Sequence, residues 1–101
     1  MMIMNMHTEK LNINDKIFLE AEARNIAMMK SVTKVKPEHR AKRTANSNGA
    51  IVGYLYAMLH RGELNEKNVE WLTEYFSETL PREMEIKASF KARKDIEQKA
   101  V

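Results

Sequence analysis

The side chains best able to do acid–base or metal chemistry near neutral pH are three histidines, His7, His39 and His60. Imidazole titrates near pH 6.5 and is the commonest metal ligand, so a clustered pair would point to a metal or general-base site. These three are scattered and lack metal-ligand spacing. The chain has no cysteine, which excludes thiol catalysis, disulfide scaffolds and Cys-type zinc sites and suits a reducing cytoplasm. Of the two aspartates, Asp15 stands where a carboxylate favours a helix start and Asp95 where a surface helix carries it. No phosphate-binding glycine loop, dinucleotide fingerprint or nucleophile elbow occurs. This inventory predicts a protein that is not an enzyme, with no catalytic residues, no cofactor and no metal.

What remains is the chemistry of charge. The formal net charge is only +3, but it is unevenly laid out. Residues 30–62 hold seven Lys or Arg against Glu38 alone, a local +6, whereas residues 63–85 hold seven Glu against Lys67 and Arg82, a local −5. The basic run contains Lys34, Lys36, Arg40, Lys42 and Arg43, and Lys87, Lys91, Arg93 and Lys94 follow near the C-terminus. Clustered Lys and Arg are the electrostatic footprint of phosphate binding, and they serve an acidic protein partner equally well. The acidic run contains Glu66, Glu70, Glu74 and Glu78, four apart, which stacks like charges on one helical face and opposes the helix by about 0.2–0.5 kcal/mol per pair. Such a face is solvated, meets a basic partner, or answers the chain's own basic segment.

A second ladder at the same spacing is made of small residues: Ala45, Gly49, Gly53 and Ala57. Gly inside a helix costs about 1 kcal/mol relative to Ala, so the pattern predicts a close-packing face, against a neighbouring helix of the same chain or in a homodimer. A helix-turn-helix does not fit here. Its reading helix would be Val52 to Leu59, whose apolar side chains cannot pair with base edges.

The elements that position these ladders follow from the chain breakers. Asn14 and Asp15 open a first helix, with an Ile13–Phe18 staple and a wide apolar face of Ile17, Phe18, Ala21 and Met28 beside Leu19, Ala23 and Ile26. Pro37 starts a second, short segment to Ala45, and Asn46-Ser47-Asn48-Gly49 is expected to break or kink the chain. Ala50 to His60 forms a third segment that is apolar all round and ends at Arg61 with Gly62 as its cap. Glu66 to Leu80 forms a fourth, and Pro81 resets the chain before a charged final segment.

The sequence therefore predicts an all-α fold: a small bundle of four to five short helices around Ile51, Leu55, Met58, Leu59, Val69, Leu72 and Phe76. Residues 1–12 are expected as a flexible N-terminal tail, 13–81 as the helical core domain, and 82–101 as a charged C-terminal helix or docking arm. The Met-rich start lacks the basic region and cleavage site of a secretory leader, and the longest uncharged apolar stretch falls short of the ~20 residues of a membrane span. The function expected is that of a cytoplasmic regulatory or adaptor protein that binds a protein partner, with a homodimer as one form it could take. Nucleic-acid binding through residues 30–43 and the C-terminal helix is the alternative.

Overall fold

The computed structural model describes residues 7–31 and 34–87 of the chain. Every regular element among them is helical: α1 (Ile13–Ser31), α2 (Pro37–His60) and α3 (Glu66–Glu74), which runs on through a wide π turn (Tyr75–Thr79) into helical residues 80–87. Contacts at the two ends give the topology. Tyr54, late in α2, reaches Asp15 at the start of α1, while Lys30 at the end of α1 lies 4.0 Å from Glu85. The three helices thus run up, down and up.

Local chemistry explains the boundaries. Asn12 and Asp15 form a reciprocal cap at the start of α1, each side chain accepting from the other's backbone N–H at 2.8–2.9 Å. The cap is therefore Asn12, two residues before the expected Asn14. Asn65 and Asn68 repeat the device at the start of α3, at 2.8 and 3.1 Å. The end of α2 is a Schellman motif: Gly62 takes φ 78°, its N–H bonds to Leu59 O at 3.0 Å, and the Glu63 N–H bonds to Met58 O at 2.9 Å. Gly62 caps this helix as the sequence predicts.

Two expected breaks are absent, which is why three helices stand among the described residues where four or five were expected for the chain. Asn46-Ser47-Asn48-Gly49 continues the helix, so the second and third segments are one rod of 24 residues. Ser47 is buried in the bundle, and the packing of Ile51, Leu55 and Met58 one to three turns on outweighs the weak propensity of this stretch. Pro81 does not reset the chain either. It offers no N–H to the Ser77 carbonyl and its ring would press on that carbonyl in a regular turn. The backbone instead widens, with Leu80 N–H bonded to Tyr75 O, and Pro81 is buried beyond the wide turn. Residues 82–87 continue the same helix, and residues 88–101 of the expected C-terminal arm lie outside the described residues.

The core is a single cluster of Leu11, Leu19, Ala23, Ile26, Ile51, Leu55, Met58, Leu64, Val69, Leu72 and Phe76. It holds the expected residues except Leu59, which is only partly buried at its edge. Leu11 and Leu64, from the connections, complete it. Consequently the expected tail shortens: Leu11 is buried and His7 packs on α3, leaving residues 1–6 outside the described residues.

Candidate functional site

The surfaces that result from this packing each take their character from which side of a helix the core uses. The end of the bundle that carries the caps is held by polar and aromatic contacts. Asp15 is buried, accepts from the Asn12 N–H, and receives a hydrogen bond from the Tyr54 hydroxyl. That bond, with lesser help from burial, holds the Tyr54 pKa above its ordinary value. Phe18 stacks on Tyr54 at 4.6 Å, and Ile13 lies inside α1, mostly exposed, and not ahead of the cap where the expected staple needs it. On the neighbouring flank His7 stacks on Trp71 at 4.7 Å and Trp71 on Tyr75 at 5.1 Å, while the Asn68 amide lies 3.1 Å from His7 Nδ1. Burial, with Glu83 and Glu20 nearby, pushes the Tyr75 pKa up. Asp15 and His7, the groups with most chemical potential on this end, are thus engaged in fixing the fold.

The opposite end is basic. Lys34 and Lys36 sit on the connection after α1, and Arg40, Lys42 and Arg43 in the first two turns of α2; all but the half-buried Arg40 are exposed. Lys87 is exposed at the last described turn, and the Lys30–Glu85 approach brings that turn to the same end of the bundle. Lys91, Arg93 and Lys94 lie outside the described residues. The acidic ladder Glu66, Glu70, Glu74 and Glu78 is exposed along α3. At 1.5 Å per residue, Lys42 stands ~27 Å along α2 from the turn that leads to Glu66. The basic cluster and the start of the acidic ladder are therefore at opposite ends of one molecule. Among the described residues the ion pairs Lys30–Glu85 and Arg61–Glu63 (2.7 Å) are formed without Glu66, Glu70, Glu74 or Glu78.

The small-residue ladder does not line the core. Ala45, Gly49, Gly53 and Ala57 are all exposed on the outer side of α2, and a Cβ added at Gly49 or Gly53 meets no atom within 4 Å among the described residues. Beside the ladder, Val52, Tyr56 and Leu59 of α2 face Glu66, Val69, Glu70 and Thr73 of α3 across an open groove of about 480 Å³. Tyr56 is 49% exposed on its lip.

One surface departs from the sequence expectation. The wide apolar face of α1 is in fact two faces. Leu19, Ala23 and Ile26 enter the core, whereas Ile13, Ile17 and Met28 are 69%, 59% and 49% exposed on the far side, with Ala21 between them. The spacing carries the signal: residues 13, 17, 21, 24 and 28 fall within one 80° arc of a 100°-per-residue wheel, roughly opposite Leu19 and Ile26.

No group of three or more His, Asp or Glu among the described residues is placed to hold a metal, and no helix among them is long and apolar enough to cross a membrane. The class these features define, among the described residues, is a small three-helix up-down-up bundle with charged ends and two outward apolar faces. No protein-family model, curated protein or solved structure matches the chain.

Proposed function

We propose that the protein is a non-catalytic adaptor or regulatory protein of the cytoplasm that works by docking a protein partner. The observation that carries this reading is the outward stripe of α1. A helix of a small monomer normally turns charge to water on the side away from its core, and here that side presents Ile13, Ile17, Ala21 and Met28 with Arg24 as the charged residue among them. The partner that suits such a stripe is a protein offering an apolar helix or groove of its own, with Arg24 and the neighbouring Glu20 at the rim setting its register. The test is recovery of a stoichiometric protein by the tagged full-length chain from its native cell, compared with the Ile17→Glu, Met28→Glu double variant. Both positions are exposed, so the variant keeps its helical circular dichroism. It should lose the partner. Equal recovery by both proteins, or by neither, counts against the proposal.

A second reading, nucleic-acid binding, is favoured by one observation: the basic residues of α2 and Lys87 gather at one end of the bundle, away from Glu66. Affinity for DNA or RNA should then fall steeply between ~50 and ~200 mM salt, and charge reversal at Arg40, Lys42 and Arg43 should abolish it. Absence of binding at low salt removes this reading.

A further inference from the structure

From residue 44 to residue 60 the chain carries no Asp, Glu, Lys or Arg, a run of more than four helical turns. A helix of this kind is expected at the centre of a domain, yet α2 buries only Ser47, Ile51, Leu55 and Met58 on one side. Its other side is exposed and uncharged, and Tyr56 on that side overhangs the groove floored by Val52, Leu59 and Val69. The groove is rimmed by Glu66 and Glu70, and the N-terminal turns of the same helix carry Arg40, Lys42 and Arg43. An uncharged stretch flanked by a cationic end and, beyond the mutually paired Arg61 and Glu63, by the Glu66 and Glu70 carboxylates at the other is complementary to itself when reversed.

We propose that this groove and the outer side of α2 seat a second copy of the chain, the two α2 helices crossing antiparallel so that Lys42 of each copy reaches Glu66 and Glu70 of the other. The register follows from the sequence. Centring the two-fold axis near residue 51 sets position 42 against 60, 45 against 57 and 46 against 56, which brings Lys42 to the level where α3 begins. A parallel pair would stack the basic ends together and the carboxylates together. Reversal is thus the arrangement that charge selects. The small residues are permissive here: with Gly49 set against Gly53 the backbones can approach until Tyr56 and Val52 are covered, and among the described residues neither glycine is needed by contacts within the chain, since each has open space beyond its Cα. This assigns a self-association face distinct from the α1 stripe and rests on the adaptor reading only in sharing its assembly.

Sedimentation equilibrium of the full chain from about 10 µM to 1 mM should show a monomer–dimer equilibrium that weakens with salt. Tyr56→Glu should abolish the dimer while leaving the circular dichroism unchanged, and Gly53→Leu, a bulk change in the same open space, should do so independently. Lys42→Glu should weaken the dimer about tenfold, and adding Glu66→Lys to the same chain should restore it, a rescue that a merely structural role for either residue does not produce. Because the chain has no cysteine, Ala45→Cys and Ala57→Cys proteins oxidised together should form a mixed disulfide dimer faster than either forms one alone. A chain that stays monomeric to about 1 mM, a dimer indifferent to Tyr56→Glu, or preferential self-linking at Ala45→Cys overturns the proposal. None of these results touches partner recovery through Ile17 and Met28, so failure of the dimer and failure of the adaptor reading are separate outcomes.

Discussion

The two sides of α2 between Ala45 and His60 are built from similar residues and have opposite fates. On the inner side Ile51, Leu55 and Met58 are almost wholly removed from water. On the outer side Gly49, Gly53, Tyr56 and Ala57 are exposed, although hardly more polar. What separates them is volume: branched and long side chains fill the space between α1 and α3, while the exposed outer positions hold glycine, alanine, one tyrosine and the polar Asn46 and His60. Absence of charge therefore does not locate a core. Large apolar side chains on one arc do.

The most direct way to break this contrast is to truncate one large residue on each side. Leu55→Ala leaves a cavity in the middle of the cluster and should cost about 2–5 kcal/mol of unfolding free energy. Tyr56→Ala, at the next position, should change it by less than about 1 kcal/mol in dilute solution. Urea unfolding of the two variants measures both; equal losses would mean that the outer side is packed and the contrast is false.

Tyr54 marks the edge between the sides, and loss of its hydrogen bond to Asp15 is expected to have the next largest effect. Tyr54→Phe leaves the buried carboxylate with one donor fewer and should cost about 1–2 kcal/mol at neutral pH. The alkaline behaviour gives a second readout. Donation to Asp15 raises the folded-state pKa of Tyr54 above its ordinary value near 10, so the folded protein holds that proton more tightly than the unfolded chain. This stabilisation is complete below pH ~10 and is lost as pH rises through the folded pKa. Stability of the wild type should thus fall more steeply above pH ~10 than that of Tyr54→Phe; Tyr75, also raised, retains its own share of the slope in both.

How far the sequence discloses such features depends on their range. Gly62 was legible because a left-handed cap is a local requirement, met by one residue type at the helix end. The buried set on α2 and α3 was legible from helical spacing. The Asp15–Tyr54 bond was not, since the partners are 39 residues apart and only the antiparallel packing of α1 on α2 joins them. Asn46–Gly49 and Pro81 mislead for the converse reason: their local preference for a break is real but smaller than the packing of Ile51, Leu55 and Phe76, which keeps both helices continuous. On α1, apolar residues on two arcs pass for one wide face, although the angular separation of Ile17 from Leu19 and Ile26 already divides them. Of the candidate site residues, the acidic ladder, the small-residue ladder and Lys34, Lys36, Lys42, Arg43 and Lys87 are exposed, while Arg40 is half-buried.

The glycines of the outer side allow a sharper test, because a methyl group added there separates helix propensity from packing. Gly49→Ala and Gly53→Ala enter open space within the chain and should each raise stability by about 0.5–1 kcal/mol when measured at micromolar concentration. Thermal unfolding at that concentration is the check. A loss instead would place a neighbour over the glycine and turn the outer side into an inner one.

The smallest effect lies on the neighbouring helix, whose outer side is charged where that of α2 is not. Glu70 has Glu66 and Glu74 four residues away on either side, all three exposed. Glu70→Gln removes two like-charge pairs and the opposing i,i+3 attraction of Lys67, at the cost of none of the bonds seen at Asn65 and Asn68, so it should stabilise by about 0.2–0.5 kcal/mol at low ionic strength. Screening discriminates the cause: with a Debye length of about 3 Å at 1 M salt, repulsion between exposed carboxylates is largely lost, and the variant and wild type should converge. If the gain persists in high salt, it comes from helix propensity or new hydrogen bonding by the amide and not from charge. If Glu70→Gln destabilises at low salt, the carboxylate is already paired, and the ladder is not the unneutralised surface that a basic end of another molecule would seek.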